Sequence, residues 1–238
     1  MKVWACTAAA LAVQALVSMP LGAAELIAAD QPEAARIFAH SQANSSTWKL
    51  MRYYDTQANP AFCGVAASEI VLNSLDVASP ASAEISPYSM FNQNNFFTDQ
   101  VTKVKTEQLV RHEGIELDQL AAMLRTFDVK IDTYHADQLG SLDAFRRVAS
   151  AALADPDKRV IVNYYRPGLG QKGGGHHSPL GAYDTETDRF LILDVARYRL
   201  PPVWATAGDL WNALNTMDTD AKLKRGMLVV SRVPSQDK

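Results

Sequence analysis

Apolar residues recur at helical spacing through the first two thirds of the chain. This period predicts amphipathic helices over residues 31–40, 47–54, 65–75, 106–112, 117–127 and 141–154. The polar and aromatic stretch 86–98 is expected to hold a short helix and a loop. The first part of the chain is therefore predicted to be mainly helical.

The pattern then changes to short runs of β-branched and aromatic residues, which are typical of strands. Strands are expected over residues 159–165, 176–183, 189–195 and 227–231. The glycine-rich loop 166–175 lacks the spacing of a phosphate-binding loop, and no helix follows it. Helices first and strands later, with no repeat or linker, predict a single α+β domain over residues 25–238.

The first 24 residues resemble a secretory signal peptide. Lys2 precedes an apolar run that ends in the small residues 22–24, which suit cleavage after Ala24. The alternative is a membrane anchor, for which the apolar run is short, since a span needs about 20 residues. We expect export, to a periplasm, and no membrane association of the mature chain.

Composition narrows the class of protein. Of the 238 residues, 47% are hydrophobic and 21% are charged, which is typical of a folded protein. The formal net charge is −3 and no basic cluster stands out, so nucleic-acid binding is not expected. The chain has two cysteines, and removal of the signal peptide would leave only Cys63. A lone cysteine is either an inert buried side chain or a reactive thiol.

The position of Cys63 favours a reactive thiol. The residue lies two positions before the apolar helix 65–75, so its sulfur should lie near unpaired N–H groups and the positive end of the helix dipole. Such a position lowers the pKa of a thiol, especially beside an imidazolium. Gln57, six residues upstream, could donate a hydrogen bond to an oxyanion, although a solvated loop residue is the simpler interpretation.

A histidine and an aspartate are expected to accompany this thiol. A hairpin with its turn near residues 185–186 would bring His176 and Asp194 to opposed or diagonal positions on adjacent strands. A carboxylate behind an imidazole fixes its tautomer, as in catalytic triads. The adjacent His177 should point to the opposite face of the strand. A metal site built from Cys63 and these side chains is the less favoured alternative, because adjacent histidines on a strand diverge.

Three segments resemble signatures of the phytochelatin synthase family. They are TQANPAFCGVAAS at 56–68, GHHSPLGAY at 175–183 and DVARYRLPPVW at 194–204, in the order and spacing of that family. The resemblance implies a papain-like fold, in which the nucleophile begins a central helix packed against an antiparallel sheet from the C-terminal half. It identifies Cys63 as nucleophile, His176 as general base and acid, Asp194 as the residue that orients it, and Gln57 as oxyanion donor.

The same resemblance implies a reaction. Cys63 would cleave the Cys-Gly bond of glutathione and keep a γ-Glu-Cys acyl group. A second glutathione would take this group to give phytochelatin, or water would take it to give γ-Glu-Cys. By the same comparison Asp218 and Arg225 would bind the γ-glutamyl group, and Arg197 would lie near the acceptor site.

Two departures from the family pattern bear on metals and on the acceptor. The chain resembles the short bacterial members, which lack the cysteine-rich C-terminal region, and Leu200 replaces a tyrosine beside the acceptor region. No cofactor is expected to be required. A heavy-metal ion (Cd, Zn or Cu) would act as a metal–glutathione thiolate substrate or as an activator in detoxification. The sequence leaves the oligomeric state open, a dimer included.

Two other functions fit some of these residues. A general papain-like endopeptidase would use the same nucleophile, but it would not need the pair Asp218 and Arg225. The other alternative is a non-catalytic protein that binds glutathione or metal–thiolate complexes.

Overall fold

The structure is a computed structural model that describes residues 25–82 and 85–233; the signal peptide predicted for residues 1–24 lies outside them. Within this part of the chain the α-helices are α1 (Pro32–His40), α2 (Thr47–Arg52), α3 (Cys63–Ser74), α4 (Asp99–Val104), α5 (Glu107–Glu113), α6 (Leu117–Leu124), α7 (Ala136–Leu139), α8 (Leu142–Ala154) and α9 (Ala207–Leu214). The strands are β1 (Ile27–Ala28), β2 (Val129–His135), β3 (Lys158–Tyr165), β4 (Gly175–Asp184), β5 (Arg189–Ile192), β6 (Val203–Thr206), β7 (Met217–Asp218), β8 (Leu223–Lys224) and β9 (Gly226–Arg232).

Seven of the described strands form one antiparallel sheet. Their order is β1-β6-β5-β4-β3-β9-β2, so the hairpin β4–β5 lies at its centre. Strands β7 and β8 pair separately as a small hairpin. The sheet comes mostly from the second half of the chain, as predicted, although its edge strand β1 comes from the N-terminal side.

Helices cover both faces of the sheet, which gives the α+β class predicted from the sequence. One buried cluster joins α3, α4, α5 and α6 to one face, and a second joins α8 and α9 to the other. Alternating residues of β3 divide between them, with Ile161 in the first cluster and Val160 and Val162 in the second.

Helix α3 is buried on every side, from Cys63 to Ser74. Two polar residues one helical turn apart on this helix, Glu69 and Asn73, are also buried. Glu69 accepts a hydrogen bond from Gln93, and Asn73 bonds both backbone groups of Phe91. These hydrogen bonds therefore allow the polar side chains of α3 to be buried in the core.

Most predicted elements are present with boundaries shifted by one to three residues. The prediction was wrong for the stretch 86–98, whose described backbone forms turns without a helix. Strands β2 and β6 and helices α4 and α9 were not predicted. In the described residues, every helix is too short or too polar to cross a bilayer.

Candidate active site

Cys63 is the first residue of α3 and is 9% exposed. The preceding residue, Phe62, offers no side-chain acceptor to the first turn, so the N–H groups there have no side-chain cap. The glycine at position 64 packs against Ile115 and Leu120, where an added Cβ would lie 3.4 Å from each side chain. The sulfur therefore lies at the positive end of a buried helix dipole, as the sequence predicted.

His176 and Asp194 meet on the central hairpin. Strands β4 and β5 pair Asp184 with Arg189, and a bulge near Gly181 shifts the register beyond that point. His176 and Asp194 consequently lie diagonally across the hairpin, with Nε2 and Oδ1 3.0 Å apart. The structure thus brings together the two residues that the hairpin argument paired.

Arg166 holds the other side of the same carboxylate. Its Nη1 and Nη2 donate to the two oxygens of Asp194 at 2.8 and 2.9 Å, and both side chains are buried. Sequence analysis missed this residue, because an arginine beside a glycine-rich loop is more often on the surface. Together His176 and Arg166 overcome the effect of burial and hold the pKa of the Asp194 carboxyl well below its usual range.

His177 lies beside the sulfur, contrary to the expectation that it would face away. Its Nδ1 is 3.8 Å from Sγ of Cys63, and its Nε2 is 2.7 Å from Nδ2 of Asn163. The alternation argument correctly separates neighbouring side chains along a strand. It does not account for the N-terminus of α3, which lies against the start of β4. There the side chains of both His176 and His177 can approach the Cys63 sulfur.

The two histidines favour the ionised form of Cys63. Burial raises the pKa of its thiol, but hydrogen bonding and charge from His176, and then a hydrogen bond from His177, bring that pKa well below its usual range. Burial alone would lower the pKa of His176, yet Asp194 and Cys63 raise it overall. An ionised thiolate beside an imidazolium is the form that attacks a carbonyl carbon.

Gln57 is buried in the loop before α3. Its backbone N–H donates to the Val195 carbonyl, and its side-chain Nε2 donates to the Asn59 carbonyl at 2.8 Å. An amide nitrogen carries two hydrogens, so this bond leaves one of them available. Gln93 fixes the loop from outside, with bonds to Thr56 and Ala58.

A cavity of about 240 Å³ opens beside the sulfur. Asp218 and Arg225 lie in its wall, with Oδ2 and Nη2 3.5 Å apart, and the Arg225 guanidinium lies 5.3 Å from the ring centre of Tyr165. The lining residues are Pro60, Ala61, Cys63, His112, Glu113, Gly114, Ile115, Glu116, Asn163, Gly175, His177, Asp218, Asp220 and Arg225. The cavity therefore joins the thiol to an acid–base pair that the sequence analysis selected on different grounds.

Arg197 lies apart from the residues that line this cavity. Its Nη1 donates to the Tyr54 carbonyl at 3.1 Å, and its guanidinium lies 4.7 Å from the centre of the Tyr54 ring. Tyr54 in turn donates its hydroxyl to the Asp194 carbonyl, so Arg197 is connected to the triad through that ring.

Among the described residues, no three His, Cys, Asp or Glu side chains lie close enough together to hold a metal ion.

A family model described as phytochelatin synthase matches residues 17–227. Glutathione gamma-glutamylcysteinyltransferase 3 of Lotus japonicus is 34% identical over 206 residues, which cover 85% of this chain and 41% of the relative. Glutathione gamma-glutamylcysteinyltransferase 2 of Arabidopsis thaliana is 32% identical over 183 residues, or 77% of this chain and 39% of the relative. The Schizosaccharomyces pombe enzyme of that name is 26% identical over 77% of this chain and 42% of its own length. The chain spans about two fifths of the length of these curated relatives.

Proposed function

The chain belongs to the phytochelatin synthase family, and on that premise we propose that it is a papain-like thiol acyltransferase or hydrolase that cleaves the Cys-Gly bond of glutathione. The observation that carries the proposal is the Cys63 sulfur at the N-terminus of α3, with a thiol pKa lowered chiefly by the His176 imidazole, which is itself bonded to the buried Asp194 carboxylate. The names of the relatives supply glutathione as the substrate.

The first half of the reaction forms a thioester. The Cys63 thiolate attacks the carbonyl carbon of the Cys-Gly amide, and the oxyanion accepts hydrogen bonds from the free N–H of Gln57 and from the first turn of α3. The His176 imidazolium then gives its proton to the amide nitrogen. The C–N bond breaks, glycine leaves, and γ-Glu-Cys stays on the sulfur.

The second half releases the acyl group. Neutral His176 takes a proton from the attacking nucleophile, which is the α-amino group of a second glutathione or a water molecule. The C–S bond breaks and Cys63 leaves as a thiolate. The products are phytochelatin in the first case and γ-Glu-Cys in the second. Asp194 keeps the imidazole oriented throughout, and Arg166 keeps Asp194 ionised.

Asp218 and Arg225 are proposed to recognise the γ-glutamyl group. Arg225 has a buried Nε without a partner among the described residues, so its guanidinium has a donor free for a carboxylate. Asp218 lies in a wall that also contains Glu113, Glu116 and Asp220. Burial and the charge of Asp218 raise the pKa of Glu116, which indicates a concentration of negative charge suited to an ammonium group.

Arg197 is proposed to act near the binding site of the acceptor. Its contact with Tyr54 holds a positive charge near the triad and outside the cavity.

Heavy-metal ions are proposed to take part as metal–glutathione thiolates, because the soft sulfur of glutathione binds Cd, Zn and Cu(I) well. Export with removal of residues 1–24 also remains a proposal. The intact mass of protein recovered from the natural host tests it.

Intact-mass analysis after mixing with glutathione tests nucleophile, substrate and bond together. We expect one γ-Glu-Cys adduct on the wild-type chain, release of glycine, and neither in Cys63→Ala. The dipeptide Cys-Gly, which lacks the γ-glutamyl group, should give no glycine. Glycine release that survives in Cys63→Ala, or cleavage of Cys-Gly at the rate of glutathione, contradicts the proposal. Chromatography with and without Cd²⁺ then shows whether (γ-Glu-Cys)₂-Gly or γ-Glu-Cys accumulates.

A further inference from the structure

The sulfur of Cys63 has a second imidazole partner that the reaction above does not use. His177 and Asn163 are a cross-strand pair of β4 and β3, so their side chains share one face of the sheet. Both are buried, at 2% exposed each. The pair forms a chain of contacts from Asn163 through His177 to the reactive sulfur.

The amide of Asn163 determines which ring nitrogen of His177 carries a proton. The amide nitrogen lies 2.7 Å from Nε2; donation from it to Nε2 places the ring's proton on Nδ1 and leaves the buried Oδ1 of Asn163 without a partner in the described part of the chain. Nδ1 is the atom that faces Cys63, at 3.8 Å from Sγ. In this arrangement His177 is a hydrogen-bond donor to the thiolate.

The two histidines also differ in what they face. His177 lines the cavity together with Cys63, Asn163 and the acid–base pair. His176 instead bonds Asp194 and packs edge-on against the Tyr164 ring at 5.6 Å. A substrate in the cavity would therefore meet His177 as well as the sulfur.

We propose that His177, held by Asn163, is a second hydrogen-bond donor that stabilises the Cys63 thiolate on its cavity side. The proposal deepens the proposed function and rests on it for the reaction that the thiolate performs. His177 keeps its Nδ1 proton throughout, and the proton that reaches the departing glycine comes from His176. Stabilising the thiolate also makes it a better leaving group when the thioester is released.

This division of roles has a rival in the same geometry. A Cys-His-Asn arrangement is a known variant of the catalytic triad, so His177 could itself be the general base. In that case its loss would abolish acylation of the enzyme. Under our proposal, loss of His177 makes the Cys63 thiolate less stable, so less of it is present at a given pH. Acylation of Cys63 by glutathione then remains measurable at higher pH.

The test follows alkylation of Cys63 by iodoacetamide against pH, which reports the thiolate without any glutathione. His177→Phe keeps a planar ring of similar size, and Asn163→Leu removes the amide that fixes the tautomer. We expect the pH midpoint to rise by about one unit in His177→Phe and by less in Asn163→Leu. His177→Gln, which retains an N–H donor, should restore part of the shift. The matched control is His40→Phe, the same change at the exposed end of α1.

Apart from His177, none of these variants alters a charged or titratable group that faces the sulfur in the described chain. These groups are His112, Glu113, Glu116, Arg166, His176, Asp218, Asp220 and Arg225. Unchanged midpoints in both His177→Phe and Asn163→Leu would overturn the proposal. The proposal would also be overturned if folded His177→Phe showed no acylation by glutathione at any pH. If His177→Phe does not fold by circular dichroism, His177→Gln and Asn163→Leu decide the result.

Failure of this inference is distinguishable from failure of the proposed function. A shifted midpoint without glycine release from glutathione would support His177 as the thiolate donor and contradict glutathione as the substrate. Glycine release with an unshifted midpoint would support glutathione as the substrate and contradict the role of His177.

Discussion

Asp194 shows how a single side chain in this site is kept charged while fully buried. Its oxygens accept hydrogen bonds from His176, from both terminal nitrogens of Arg166 and from the Ala196 backbone N–H. Burial disfavours the carboxylate, but these donors outweigh it and lower the pKa. A depressed carboxyl pKa stabilises the fold above the usual carboxyl range, and this contribution is lost as the pH falls through the folded-state value.

Replacing Arg166 by Gln should therefore destabilise the protein. The variant leaves a buried carboxylate with fewer donors, and removing one partner of a buried pair typically costs about 3–5 kcal/mol. Urea unfolding at pH 7 measures the change in the free energy of unfolding. Arg146→Gln is the matched control, since Arg146 pairs with Asp188 and Asp143 nearer the surface, where such a loss costs under about 1 kcal/mol. Equal losses in the two variants would show that Arg166 does not stabilise Asp194.

How far the site could be predicted depends on where each partner comes from in the chain. His176 and Asp194 flank one hairpin, so pairing across a turn was enough to join them. Arg166 reaches Asp194 from beyond the strand end of β3, and no local pattern marks its direction. His177 was misplaced because strand alternation gives a face but does not say how closely α3 approaches it.

At the scale of elements, α3 depends on the sheet at both ends. Its first residue meets the histidines of β4, and its last carbonyl, that of Ser74, accepts from Nη2 of Arg159 on β3 at 2.7 Å. Arg159 is fully buried, and burial lowers its pKa to about 10, so it is still a cation at neutral pH. A cation at the C-terminus complements the helix dipole, and the helix needs no cap of its own there.

The middle of α3 carries a buried acid whose effect on stability should depend on pH. Burial, and then the charge of Asp55, raise the pKa of Glu69 to about 8. Between the unfolded value of about 4.3 and that pH, the folded state holds the proton more tightly. Stability is therefore lost as the pH rises through this window.

Glu69→Gln removes this penalty and can still accept the bond from Gln93. We expect the variant to be near wild type at pH 5 and more stable than wild type at pH 8, by roughly 1–3 kcal/mol. Thermal or urea unfolding at the two pH values measures the difference. Glu33→Gln, on the exposed side of α1, controls for loss of one surface carboxylate. A Glu69→Gln variant that is less stable than wild type at pH 8 would contradict the prediction.

The fold as a whole was easier to predict than its edges. Strands β3, β4 and β9 are buried along most of their length, and the continuous β-branched and aromatic runs of β3 and β9 were enough to identify them. Strand β2 was missed because its middle residues are only partly buried and mostly polar, which weakens the period of two. The burial of polar positions on α3 depends on bonds from loops far along the chain, which no helical period contains.

At the scale of the molecule, the glycine-rich loop links the two halves of the site. Gly173 has φ +130, and a side chain there would lie 2.9 Å from Cδ of Arg166. A Cβ on Gly175 would lie 3.0 Å from Nη2 of Arg225. The loop thus packs against the arginine that holds the triad carboxylate and against the one proposed to bind substrate. This close approach explains Gly173 and Gly175.

Because of this packing, a single substitution at Gly175 is expected to change glutathione binding without changing stability. Gly175→Ala should push the flexible end of Arg225 away from Asp218 with little effect on unfolding. We expect KM for glutathione to rise about tenfold, as expected when a charge-assisted hydrogen bond weakens by ~1.4 kcal/mol, with a smaller change in kcat. Gly174→Ala is the matched control, because a Cβ there meets nothing within 4 Å. If both alanine variants raise KM equally, the loop acts through its flexibility, and contact with Arg225 is not the cause.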